Sequence, residues 1–151
     1  MLKKINGKYG FTLVEVMLVM GVLGIITGLA IPFYQSFQIS SALDNTGQEI
    51  IQALRNAQSK AISSQELSSH GVHFDTNQFV VFKGNIYSPA DPDNEIFEVA
   101  NTVDISSSGS NNIVFSVGQG LPDTQPVITI TSSNNESKSI NLNELGRINV
   151  Y

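Results

Sequence analysis

The side chains able to do chemistry are few, and most of them sort into roles that need no reaction. The chain holds two histidines, His70 and His73, and no cysteine. That removes thiol nucleophiles, disulfide frameworks and cysteine metal sites. Two histidines are too few for a metal centre. Gly71 and the strand-like pattern around them argue against a helix on which the pair would converge. They read as two partly exposed residues at a helix-to-strand junction. Asp91, Asp93 and Glu95 alternate within YSPADPDNE as the carboxylates of a calcium loop do. The glycine and the distant glutamate of an EF-hand are missing, so the stretch reads as a solvated turn. No nucleophilic-serine motif, phosphate loop or paired catalytic carboxylate occurs. No catalytic residue, metal or cofactor is therefore expected. One acid stands apart. Glu15 is the only charge between Phe11 and Ile31, a run of 21 residues that begins directly after Gly10.

A helix rises about 1.5 Å per residue, so this run is roughly 30 Å long, the thickness of bilayer hydrocarbon. A carboxylate at the centre of a bilayer costs roughly 3 kcal/mol on insertion scales, and an intramembrane acid points to function. Glu15 is only four residues beyond Phe11, so in an isolated subunit it can also reach the interface. Lys3, Lys4 and Lys8 precede the span, and the first basic residue after it is Arg55. By the positive-inside rule the N-terminus is cytoplasmic and everything beyond Pro32 is outside. A secretory signal peptide would carry its apolar region before a cleavage site closed by small residues. Here the apolar run follows the candidate cut, so the span is expected to stay on the protein; an uncleaved anchor is the alternative. Gly24 and Gly28 form a small-xxx-small pair that lets helices approach closely, with Gly21 one turn earlier. Pro32 removes one backbone bond and crowds the carbonyl of Gly28, which predicts a kink.

The stretch MLKKINGKYG, then Phe11, Thr12, Leu13, Val14 and Glu15, then the apolar run to Pro32, resembles the N-terminus of type IV pilins and type II secretion pseudopilins. The match covers about a fifth of the chain. The resemblance implies cleavage by a prepilin peptidase between Gly10 and Phe11 and N-methylation of Phe11. It also implies that Glu15 of one subunit pairs with the Phe11 ammonium of its neighbour during assembly. Such a pair in low dielectric is favourable only when both charges are present, since removing one leaves the other unpaired. The further partners implied are other pilin or pseudopilin subunits and an inner-membrane assembly platform. Some relatives carry a disulfide near the C-terminus; this chain has no cysteine to form one.

After Pro32 the apolar pattern turns amphipathic. Leu43, Ile50, Leu54, Ala57 and Ala61, widened by Ile51 and Ile62, form one helical face. Asp44, Gln48, Glu49, Gln52, Arg55, Asn56 and Ser59 fall off it. The helix is expected to run to about Ser64. LRNAQSKAIS, Leu54 to Ser63, resembles the end of this helix in the GspH/FimT group of minor pilins and pseudopilins. From Gly71 onward short apolar runs alternate with turn residues. The expected strands are 72–74, 79–83, 96–99, 103–105, 113–116, 127–131, 139–142 and 147–150. Asp75-Thr76-Asn77 and Ser132 to Ser137 read as hairpin turns. Val127 to Thr131 alternates with its threonines outward. Ser106 to Asn112 reads as a flexible connector or exposed hairpin. The stretch from Ile113 to Gly118 and the close at Gly146-Arg147-Ile148 also resemble the GspH/FimT C-terminal half.

The expected architecture is α+β. A long N-terminal helix, half membrane-spanning and half amphipathic, packs on an antiparallel sheet or small sandwich. Its parts are a leader over 1–10, a span over 11–31, an amphipathic half over 32–66 and a β-rich extracytoplasmic domain over 67–151. The expected function is that of a minor pilin or pseudopilin, a structural subunit and not an enzyme. Two alternatives stand beside it: a FimT-like surface pilin that binds DNA for uptake, and an uncleaved membrane-anchored binding module. The formal net charge is −5, and loss of the three leader lysines leaves five basic against 13 acidic side chains. The β region holds only Lys83, Lys138 and Arg147 as basic residues. Phosphate contacts need Lys and Arg, so a nucleic-acid partner is not expected.

Overall fold

The structure is a computed structural model that describes residues 10–63 and 67–151. The basic leader through residue 9, the helix end expected at Ser64 and the boundary expected at residue 66 lie outside the described residues. The chain divides into two compact units, 1–36 and 37–151. Helix α1, Leu13–Ile62, contributes to both and holds Pro32 inside it.

In the first unit the helix carries almost nothing but apolar side chains, and all of those described are exposed. Its most apolar window has a mean hydropathy of 2.4 with none of it buried. The one hydroxyl in the middle of this stretch is satisfied locally. Thr27 Oγ1 donates to the carbonyls of Leu23 at 2.8 Å and Gly24 at 3.1 Å. A polar group partnered by its own helix can enter hydrocarbon without losing a hydrogen bond to water.

In the second unit the amphipathic stretch of α1 buries one face. Leu43, Ile50, Ile51, Leu54, Ala57 and Ala61 are buried as their spacing predicts, and every off-stripe polar residue named above is exposed. Ile62 departs from expectation: it is half exposed, its side chain lying against the backbone at Gly120 and not in the core. Thr46, Gly47 and Ala53 complete the buried face. A Cβ on Gly47 would sit 3.2 Å from Ile130 Cδ1, so the absent side chain lets α1 come close to the strand beneath it.

Among the described residues eight strands follow, each within a few residues of its expected position. They are β1 His70–Phe74, β2 Gln78–Lys83, β3 Glu95–Glu98, β4 Val103–Ser107, β5 Asn112–Phe115, β6 Val127–Ser132, β7 Ser137–Leu142 and β8 Ile148–Val150. They form two antiparallel four-stranded sheets, ordered β3-β2-β1-β5 and β4-β6-β7-β8. Both expected hairpins are present. Asp75 closes the first, its N–H donating to the Gln78 carbonyl at 2.9 Å. Asn135, with φ of 63°, turns the second. The serine-rich 106–112 stretch is not a hairpin. It carries the chain from β4 in one sheet to β5 in the other, and Ser107 and Ser110 tie its backbone through their hydroxyls.

One core joins the helix to both sheets: Leu43, Ile50 and Leu54 pack with Val72, Phe74, Phe79, Ile113 and Phe115 from the first sheet and Ile128, Ile130 and Ile140 from the second. The register explains the choice. Val72 is opposite both Val81 and Ile113, and Ile128 is opposite Ile140, so each row of apolar residues lies on one face. Two polar ties bind the second sheet to α1. Ser40 Oγ donates to Glu136 Oε2 at 2.9 Å, and Lys138 Nζ meets Asp44 Oδ1. Lys60 and Glu95 make a corresponding link between the last turn of α1 and β3.

The histidines correct their expected reading. Both are on β1, three residues apart, and so on opposite faces of the sheet. His70 is buried in line with Val72 and Phe74. His73 is half-buried on the other face; its ring stacks on Tyr87 at 4.0 Å, and its Nδ1 is 2.6 Å from Asn112 Oδ1.

Candidate functional site

Gly10, Phe11 and Glu15 come together where α1 begins. Gly10 is exposed outside any element, and a Cβ built on it meets nothing within 4 Å. Phe11 is 84 % exposed and still outside the helix. Thr12 then caps it: its Oγ1 accepts the N–H of Glu15 at 3.2 Å, and its carbonyl accepts the first helical bond, from Val16 N–H, also at 3.2 Å. Thr12 is thus the N-cap and Glu15 the third helical residue, the spacing of a capping box. A carboxylate in the first turn is also favoured by the positive end of the helix dipole. The capping role of Thr12 is absent from the expectations above, although Thr-x-x-Glu ahead of an apolar run signals it.

Glu15 is exposed, and its surroundings are apolar. Phe11, Glu15, Val19 and Leu23 recur every four residues on one face, and with Val16 and Met20 they line a groove of about 340 Å³. A carboxylate set in an apolar stripe is poorly matched to hydrocarbon alone and well matched to a cation arriving on that face. Gly21, Gly24 and Gly28 leave open space where side chains would be, so another helix can approach closely there. Pro32 lies inside α1 and offers no N–H to the Gly28 carbonyl, yet the helix continues past it.

The prokaryotic N-terminal methylation motif matches residues 5–31, the stretch that holds Gly10, Phe11, Thr12, Glu15 and the three glycines and ends just before Pro32. Two fimbrial proteins of Pseudomonas aeruginosa are 30% identical to this chain over 73 residues, 48% of this chain and 47% of theirs. The N-terminal stretch of this chain carries the prokaryotic N-terminal methylation motif. The stretch matched to those fimbrial relatives spans about half their length. Among solved structures, the minor pseudopilin EpsH of the Vibrio cholerae type 2 secretion system shares the fold. It superposes with a TM-score of 0.56 at 15% identity, over 72% of this pilin-like chain and 95% of EpsH.

The acidic loop is folded on itself. Asp91 Oδ1 accepts from Asp93 N–H at 3.0 Å, Asn94 Nδ2 donates to the Ser88 carbonyl at 2.7 Å, and Glu95 is engaged by Lys60. Among the described residues no group of three or more His, Asp or Glu is placed to hold a metal ion.

Proposed function

We propose that this chain is a minor filament subunit of the GspH/FimT kind, cut by a prepilin peptidase between Gly10 and Phe11 and N-methylated on Phe11. It then assembles through α1 into a type II secretion pseudopilus or a type IV pilus. The observation that carries the reading is the methylation motif over residues 5–31, laid on a helix whose exposed apolar face holds one acid. Before assembly the subunit crosses the inner membrane once, with its N-terminus cytoplasmic and its β sheets outside. In the filament the Phe11 ammonium of one subunit meets Glu15 of the next, and Pro32 bends the helix where it leaves the bundle. The peptidase and the assembly platform act on the subunit, which performs no reaction of its own. The β domain presents few cations: its Lys138 is engaged by Asp44, and the adjoining Lys60 of α1 by Glu95. A DNA-binding role has no comparable support.

The intact mass of the protein from its own cells tests this. The expected value lacks residues 1–10 and gains one methyl group. A full-length mass in cells with an active prepilin peptidase overturns the assignment in favour of an uncleaved anchor.

Glu15→Ala separates processing from assembly. The variant should be cut and methylated normally, because the Gly10–Phe11 bond is untouched. It should enter filaments poorly when expressed beside wild-type partners, because the neighbour's ammonium loses its counter-ion in low dielectric. Filament content equal to wild type would show that the pairing is not what recruits the subunit.

A further inference from the structure

Within 10–36 the aromatic residues are confined to the two ends of the apolar helix. Phe11 precedes the first turn, and Phe33 and Tyr34 follow Pro32; the residues between, 12–32, contain none. Phe33 is 78 % exposed and Tyr34 64 % exposed, so neither packs on this chain. From Leu13, the first helical residue, to Phe33 is 20 residues, about 30 Å at 1.5 Å per residue, which equals the hydrocarbon thickness. Tyrosine, with an apolar ring and a polar tip, collects at membrane–water boundaries, and Tyr34 with Phe33 beside it is such a pair at the outer end. The next charged residue beyond Glu15 is Asp44, so no charge competes to set the depth of the outer end.

Resting on the membrane-spanning reading above, we propose that Phe33 and Tyr34 anchor the unassembled subunit in the outer headgroup layer and thereby set the depth of Glu15. With Phe33 at the outer edge of the hydrocarbon, Glu15 lies 18 residues, about 27 Å, below it. Its Cα is then within about 3 Å of the inner edge of a 30 Å core. Side chains on a helix lean toward its N-terminus, so the carboxyl group reaches inward to the headgroups and water. The acid waits at the inner surface and enters an apolar setting only when a neighbour's ammonium comes with it.

The chain contains no tryptophan, so single tryptophans report depth without background. Phe33→Trp, Leu23→Trp and Val14→Trp are placed in the full chain and reconstituted into phosphatidylethanolamine–phosphatidylglycerol vesicles. The vesicles carry nitroxide quenchers either on the headgroup or near the acyl-chain end. Phe33→Trp and Val14→Trp should be quenched several-fold more by the headgroup label, and Leu23→Trp several-fold more by the chain-end label. If Leu23→Trp is deep but Phe33→Trp is reached by neither label, or mainly by the chain-end label, the anchor is wrong and the span survives. If Val14→Trp responds mainly to the chain-end label, Glu15 lies in hydrocarbon and the depth assignment is wrong. If Leu23→Trp itself is not reached by the chain-end label, the spanning helix fails and takes the anchor with it.

Discussion

Gly10→Ala is expected to abolish processing while leaving the chain's own structure unchanged. A Cβ on Gly10 meets no atom of this chain within 4 Å, and the residue lies outside the helix. Nothing inside the subunit therefore resists the methyl group. On the proposed reading, the resistance comes from the peptidase, which must accommodate the residue directly before the cut. The variant should accumulate in the membrane at full-length mass, unmethylated, and should be absent from filaments, since no Phe11 ammonium is formed. Gel mobility and intact mass compared with wild type in the same cells decide it. Cleavage at the wild-type rate would move the processing site elsewhere in the N-terminal stretch.

Gly71→Ala should have the opposite signature: normal processing and a damaged β domain. Gly71 lies on β1 opposite Phe82 and Val114. A Cβ there would lie 2.6 Å from Phe82 Cζ and 2.7 Å from the Ile113 carbonyl oxygen. The phenyl ring can turn only into its own tight neighbours, and the carbonyl is fixed in the β1–β5 ladder. Overpacking of this kind costs about 3 kcal/mol, a large share of the roughly 5–15 kcal/mol that holds a domain together. The urea midpoint of the detergent-solubilised chain, followed by near-ultraviolet circular dichroism, should fall accordingly. An unchanged midpoint would show that Phe82 has room to move and that this face is less tightly packed than its geometry requires.

That face also shows where reading the residues in order stops. β2 is apolar at four consecutive positions, Phe79 to Phe82, and all four are buried. Such a run signals a strand covered on both sides. What covers the outer side is Tyr87, in the loop beyond β2. Its ring is 5.5 Å from Phe82 and stacks on His73. No local pattern marks Tyr87 for that place, because the contact depends on the path of the loop. The burial of His70 and the half-burial of His73 are hidden from the sequence for the same reason: each depends on what lies over its face of β1, and His73 meets Asn112 there.

Much was legible without coordinates. Glycine, phenylalanine, the lone acid and a span of bilayer length occur at fixed spacing in one short stretch, and the methylation motif falls on that stretch. The buried stripe from Leu43 to Ala61 follows from helical periodicity, since a helix with one apolar face can bury only that face. The eight strands follow from alternation and turn residues, which act over two to six positions. The sorting of those strands into two sheets, with β4 leaving its sequence neighbours for the second one, came only from the tertiary structure. So did the half-exposed Ile62, and the ties that join Asp44 to Lys138 and Lys60 to Glu95. Those pairs lie 94 and 35 residues apart along the chain. Local residue patterns encode which face of each element is apolar, and that is enough to predict the elements. Which apolar faces meet is decided by the shared packing of one core, a property of all the elements together.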